Sequence, residues 1–152
     1  MPSRSNNFLP VLLLLGGALL SLGAKAKPVR FVAPVRGKVS SKFGSRDGHF
    51  HNGIDIAVPE GTNVLSIAPG VVSSSYVTES GGKQLVIAHD NGFRSGYAHL
   101  RFPLVKPGEQ IEAGQLIAQS GKTGIGTGAH LHFTLRNPAG DFIDPVKYVR
   151  FG

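Results

Sequence analysis

Apolar and polar residues alternate along most of this chain in short runs, punctuated by glycine and proline, and no segment sustains the 3.6-residue apolar repeat of an amphipathic helix. The cleanest alternation is His130-Leu131-His132-Phe133-Thr134-Leu135-Arg136. Successive side chains of a strand point to opposite faces, so this pattern predicts a strand that buries Leu131, Phe133 and Leu135 and presents His130 and His132 together on the other side. A helix would scatter the two histidines. Similar runs predict strands over Arg30 to Ala33, Gly53 to Ala57, Val64 to Ala68, Val71 to Val77, Gln84 to His89, Arg94 to Ala98 and Gln115 to Gln119. The clearest turns between them are Pro59-Glu60-Gly61, Ala68-Pro69-Gly70, Lys106-Pro107-Gly108 and Asn137-Pro138-Ala139-Gly140. Many short strands joined by such turns predict an all-β fold, a two-sheet antiparallel sandwich or open barrel-like single domain. Glycines 121, 124, 126 and 128 make a loop just before the His130 strand, where the missing Cβ permits close backbone approach or positive φ.

The first 26 residues fall outside this pattern. Arg4 is a basic flank, Phe8 to Leu22 is apolar, and Ala24-Lys25-Ala26 is a small-residue cleavage pattern, so residues 1–26 read as a secretory signal peptide. The apolar stretch is short for a membrane span, which needs roughly 20 residues, and Pro10 and Gly16-Gly17 would weaken it further. The expected mature protein, residues 27–152, has room for one core and one domain, and is not an integral membrane protein. It is expected in the periplasm or outside the cell.

Composition narrows the chemistry. The chain has no cysteine, which excludes a thiol nucleophile, a disulfide and a lipoprotein anchor. Its formal net charge of +7 falls to +5 once Arg4 and Lys25 leave with the signal. A positive, exported protein is suited to an anionic polymer such as a cell wall. The basic residues are scattered rather than clustered, so no nucleic-acid partner is expected.

Three histidine-bearing segments remain: His51-Asn52-Gly53-Ile54-Asp55, Tyr97-Ala98-His99-Leu100 and His130-Leu131-His132. Zinc accepts imidazole nitrogen and carboxylate oxygen, and a catalytic zinc keeps three protein ligands with a fourth position for water. These residues suffice for three ligands and two further imidazoles beside them. Gly53 and the Ile54-Asp55-Ile56 alternation argue for a loop leading into a strand between His51 and Asp55.

The segments Ser40-Ser41-Lys42-Phe43-Gly44-Ser45-Arg46, His51-Asn52-Gly53-Ile54-Asp55-Ile56, Ala57-Val58-Pro59-Glu60-Gly61-Thr62, Tyr97-Ala98-His99-Leu100 and Thr123 through Phe133 occur in an order that resembles the lysostaphin/LytM-type zinc endopeptidases. The resemblance covers essentially all of residues 27–152. It implies a β-sheet groove holding one zinc ion through His51, Asp55 and His132, with His99 and His130 as the catalytic pair. It also implies a peptidoglycan stem or cross-bridge peptide as substrate. Such a zinc site keeps a net positive charge and favours loss of a proton from water, while an imidazole accepts that proton or protonates the leaving amine. The chain has no HExxH helix to supply a glutamate base, so the histidines must move the proton, and the sequence leaves open which does which.

Gly126 and Ala129 stand where this family usually has Ser and Pro, and Thr134 stands where Glu is common. None of the three is an expected ligand. His49 reads as an exposed turn residue and His89 as structural or solvated, whereas Asp144 before Pro145 reads as a turn former. Arg46 is poised between binding a substrate carboxylate and pairing within the protein. Tyr97 is similarly poised between an oxyanion contact and a strand core. Phe43, Leu131 and Phe133 read as core.

The leading expectation is a peptidoglycan endopeptidase. A non-catalytic envelope binding module, or an activator of another cell-wall hydrolase, is the alternative class. Degenerate members of the family lose ligands, whereas all five positions are filled here. Val105 through Ile117 is similar to the hairpin half of biotinyl and lipoyl carriers and of sugar phosphotransferase domains, but no lysine sits at a carrier-type tight turn flanked by methionine, and an exported protein would not meet cytoplasmic phosphorelay partners. Few residues precede His51 after the expected cleavage point, so the groove is expected to be open, with any restraint supplied by a regulatory or adaptor protein.

Overall fold

The structure, a computed structural model, describes residues 29–126 and 128–152. The expected signal peptide at 1–26 lies outside the described residues. Twelve strands and one short 3-10 turn, Pro145–Lys147, make up the regular structure of the described residues, and no helix among them is long and apolar enough to cross a membrane. The antiparallel all-β expectation holds. Ten strands form one sheet and the remaining two form a separate hairpin.

The organising element is β8 (Arg94–Pro103), the longest strand. Along one side it pairs with β7 (Gly82–His89), which pairs in turn with β6 (Gly70–Thr78), and the short β9 (Gln110–Ile111) closes that edge. Along its other side β8 changes neighbour. Residues 94–98 pair with β11 (His130–Arg136), whereas Leu100, Phe102 and Pro103 pair with β10 (Leu116–Ser120). One branch then continues through β4 (Ile54–Ala57) to β1 (Lys38–Ser41), and the other ends in β5 (Asn63–Leu65). β12 (Phe142–Ile143) pairs with the end of β11. β2 (Gly44–Arg46) and β3 (His49–His51) form the separate hairpin.

Both branches feed one core. Ile54 and Ile56 from β4, Leu131, Phe133 and Leu135 from β11, Val64 from β5 and Ile117 from β10 are all fully buried in a single cluster. Each such side chain contributes about 1.5–3 kcal/mol on leaving water, and the alternation then obliges the intervening residues of β4 and β11 to face outward. Asp55, His130 and His132 are among those intervening residues.

Three expectations need correcting in extent, the strand expected over Val64 to Ala68 stopping at Leu65. Arg30 to Ala33 does not form a strand of a sheet, since only Phe31 makes a lone parallel bridge, to Val149. Its aromatic ring instead packs edge-on against Phe93, with centroids 5.3 Å apart. The strand expected over Arg94 to Ala98 continues to Pro103, because β10 replaces β11 as its partner beyond His99.

Candidate metal centre

Asp55 and His132 are brought together by register. They are direct partners across the β4–β11 pair, and His132 Nδ1 lies 2.8 Å from Asp55 Oδ1. His51 arrives from the end of the β2–β3 hairpin, whose two-residue Asp47-Gly48 turn has positive φ at both positions, 45° and 81°, as a type I′ turn requires. The link from His51 to Asp55 must pass tightly over β11. A Cβ on Gly53 would come within 2.4 Å of the Phe133 carbonyl oxygen, so no other residue fits without displacing a strand.

His51 Nε2 lies 3.2 Å from His132 Nδ1 and 3.4 Å from Asp55 Oδ1. Three donor atoms held at zinc bond lengths in a tetrahedral arrangement are separated by about 3.3–3.5 Å. The three separations here, 2.8, 3.2 and 3.4 Å, are close to that requirement, and the donor set of two imidazoles and a carboxylate suits zinc. The residues therefore fit the ion. His51 is also oriented in advance by its surroundings. Its Nδ1 is 2.8 Å from the Lys42 carbonyl oxygen, which can only accept, so Nδ1 carries the proton and Nε2 keeps its lone pair.

His99 and His130 flank this triad. Their ring centroids are 4.6 Å apart, and His99 lies 6.2 Å from His132 by the same measure. Each has its tautomer fixed as His51 does, with Nδ1 donating to a carbonyl: Thr123 at 2.7 Å for His99, and Gly128 at 2.8 Å for His130. Both therefore keep a free Nε2, and that of His130 is 3.8 Å from Asp55 Oδ1.

His99 stands where β8 changes partner. From Tyr97 to Leu100 the strand advances three residues while β7 advances two, from Leu85 to Lys83, and His99 takes a left-handed conformation at φ 59°. That conformation costs a non-glycine residue about 1–2 kcal/mol, and the bulge it makes re-aims the side chain. Hydrogen bonds hold it in place. The His99 amide donates to Gly81, Thr123 Oγ1 donates to the Leu100 carbonyl and accepts from the Lys83 amide, and the Ile125 amide donates to Ser80. The expected close approach of the glycine loop is found at Gly124, with φ 83° and a hypothetical Cβ only 2.4 Å from the Gly82 nitrogen.

Electrostatics follow from these contacts. Burial by itself would raise the Asp55 carboxyl, but the hydrogen bond from His132 and the charges of His132, His51 and His130 outweigh it and hold Asp55 below its ordinary value. Burial lowers His99, and the neighbouring His130 and His132 add to that against the opposing Thr123 bond.

All five residues singled out in the sequence, His51, Asp55, His99, His130 and His132, line one open cavity of about 490 Å³. Gln84, Thr78 and Ile125 join them, none of which carried a sequence signal. Arg46 pairs within the protein, bonding Ser41 Oγ and lying 3.9 Å from Asp55 Oδ2. His49 is exposed and His89 is buried away from the cavity, with Nδ1 3.0 Å from the Pro69 carbonyl. Tyr97 is fully buried against Phe133, with centroids 5.4 Å apart, and its hydroxyl lies 2.9 Å from Ser95 Oγ. Asp144 caps the 3-10 turn by accepting from the Val146 amide at 3.2 Å.

The model of peptidase family M23 matches residues 49–145, which runs from β3 onward and includes all five residues of the site. The chain belongs to this family. Its resemblance to lysostaphin/LytM-type enzymes is thereby borne out. Among relatives of this M23 chain, the peptidoglycan DD-endopeptidase ShyA of Vibrio cholerae is 38% identical over 113 residues, covering 70% of this chain and 26% of ShyA. The murein hydrolase activator NlpD of Escherichia coli is 35% identical over 117 residues, covering 76% of this chain and 30% of NlpD. The chain thus spans under a third of the length of these relatives. A crystal structure of a zinc-containing peptidase from Vibrio cholerae superposes with a TM-score of 0.73 at 32% identity, covering 82% of this chain and 41% of that one.

Proposed function

We propose that this M23 protein is an exported zinc metalloendopeptidase that hydrolyses peptide bonds in peptidoglycan stem or cross-link peptides. The observation that carries the reading is the gathering of four imidazoles and Asp55 around one cavity, three of the imidazoles with Nδ1 tied to a backbone carbonyl. His51 Nε2, Asp55 Oδ1 and His132 Nδ1 would hold one zinc ion per chain. Zinc bound there supplies Lewis acidity, polarising a carbonyl oxygen and making water more acidic.

The remaining chemistry belongs to the protein. His99 and His130 present free Nε2 atoms to the same cavity, so each is placed to take a proton from the attacking water and to return one to the leaving amine. Burial disfavours the charged form of His99, which suits the accepting role and leaves the donating role to His130. A protonated His130 would also face a developing oxyanion as a hydrogen-bond donor. The openness of the groove suits a polymeric peptide that enters and leaves along its length.

The test is digestion of purified peptidoglycan by the protein, read by mass spectrometry with chelator and after zinc is restored. New amine termini that vanish with chelator and return with zinc are the expected result, and they identify the bond. The relative named as a murein hydrolase activator, at nearly the same identity as the endopeptidase, favours a second reading. In that reading the chain binds the wall and stimulates another hydrolase. Absence of new termini, together with stimulation of an added murein hydrolase, would replace the first reading by the second.

A further inference from the structure

The cavity that holds the histidines does not end at His132. Ala98, Gln84 and His132 also line a second trough of about 430 Å³ that runs along β8 and β11 toward Arg94 and Arg136. We propose that Arg94 and Arg136 form a clamp for a carboxylate of the peptide lying in the groove, and so set which peptides are held for cleavage. This rests on the endopeptidase reading above.

The first ground is register. His132 pairs with Ala98, Thr134 with Gly96 and Arg136 with Arg94, so all six lie on the outer face in three alternate rungs. Two arginines placed directly opposite repel one another, an arrangement that is destabilising unless an anion lies between them. Among the described residues neither forms an ion pair with an acidic side chain. Room is thereby left between them for an anion from outside, and both residues line the trough it would enter.

The second ground is preorganisation. The Arg136 guanidinium sits 4.0 Å over the ring of Phe142, its other cross-strand neighbour, which restrains the planar group while leaving its N–H edge free. The third is the floor between the clamp and the histidines. A Cβ on Gly96 would lie 2.4 Å from Thr134 Oγ1, so the bare glycine lets that hydroxyl lie across the strand, and with Ala98 it leaves a floor of small residues between the clamp and the histidines. Four residues of strand separate His132 from Arg136, roughly 13 Å, the reach of about four residues of extended peptide. The ligand is accordingly a peptide with a free carboxylate some three to four residues from the bond that is cut, held by a bidentate fork.

The probes are muropeptide dimers released from purified peptidoglycan, and the same dimers with their carboxyl groups converted to amides. Cleavage and equilibrium binding are both measured for the wild type, Arg94→Gln/Arg136→Gln and Arg150→Gln, the last being an exposed arginine outside the groove. The wild type and R150Q are expected to prefer the free carboxylate at least tenfold, in binding and in kcat/KM. The double variant should lose that preference, handle the amidated dimer as the wild type does, and melt no lower than the wild type because the repulsion is gone. Cleavage without discrimination, or discrimination that survives in the double variant, overturns the clamp and leaves the endopeptidase standing. Carboxylate-dependent binding that the double variant loses, with no cleavage by any form, keeps the clamp and removes the endopeptidase. A preference lost equally in R150Q assigns the effect to overall charge and overturns the clamp.

Discussion

Asp55 and His132 face each other across a single rung of the β4–β11 pair, with His132 Nδ1 2.8 Å from Asp55 Oδ1. The two donors are not assembled by loops. They are fixed by the same register that buries Ile54, Ile56, Leu131 and Phe133, and a one-residue slip would turn the donors inward and the apolar residues out. The core therefore guards the geometry of the site, and its stability is coupled to the position of two of the three proposed ligands.

Replacing Asp55 by Asn tests whether that pair binds metal. The amide is nearly isosteric but neutral, so zinc content measured after dialysis should fall from one ion per chain to a small fraction. Peptidoglycan cleavage should fall with it. The fold should persist, since desolvation of the carboxylate is removed together with its bonds. Retention of stoichiometric zinc by D55N would remove Asp55 from the ligand set.

His99→Ala separates chemistry from metal binding. Its free Nε2 is placed for proton transfer, and its ring lies 6.2 Å from that of His132 without touching the triad donors in the way Asp55 does. Zinc stoichiometry should be unchanged while kcat falls by about 10²–10⁴, the usual worth of a general acid or base. His132→Ala should lose both properties. Loss of zinc in H99A would exchange the roles assigned to these residues.

The sequence made the centre of the site legible because period-two alternation is a local property: His130 and His132 had to share a face once Leu131, Phe133 and Leu135 were buried. Their convergence with His51 and Asp55 came from the family resemblance. The hairpin that carries His51 is not legible in the pattern, although Asp47-Gly48 is a strong two-residue turn signal, because Gly44-Ser45-Arg46 lacks the apolar residues that mark a strand. β1 escaped for the same reason, with Ser40 and Ser41 in half of its four positions. The bulge at His99 and the opposed pair Arg94 and Arg136 depend on which strands become neighbours, which is a non-local fact. No pattern along the chain reports it.

His89 gives the fold a pH dependence independent of the site. Burial lowers its pKa below the ordinary 6.5, outweighing the bonds to Pro69 and Ala68 and the charge of Asp90. The unfolded chain therefore binds the proton more readily. Stability contributed here is present above about pH 6.5 and is lost as pH falls through the lower folded-state value. His99 acts with the same sign. Urea unfolding at about pH 7.5 and about pH 5.5 should show the wild type weakening at the lower pH, and His89→Gln should flatten that difference while retaining the His99 part. An equal pH slope in H89Q would mean that His89 is not held neutral in the folded state.

Tyr97→Phe distinguishes a core tyrosine from an oxyanion contact. Ala98 lines the cavity, so its neighbour on the strand points to the opposite face, and burial there pushes the Tyr97 hydroxyl up to about 12. Its oxygen is 2.9 Å from Ser95 Oγ, which is in turn 2.8 Å from His89 Nε2, forming a buried polar chain beneath the sheet. Removing the hydroxyl leaves Ser95 short of a partner and should cost about 1–3 kcal/mol of unfolding free energy. kcat/KM on peptidoglycan peptides should change less than threefold, because nothing in that chain reaches the substrate. A Y97F protein with wild-type stability and a hundredfold loss of kcat would instead place the hydroxyl at the reacting carbonyl, and would require β8 to turn its inner face outward during catalysis.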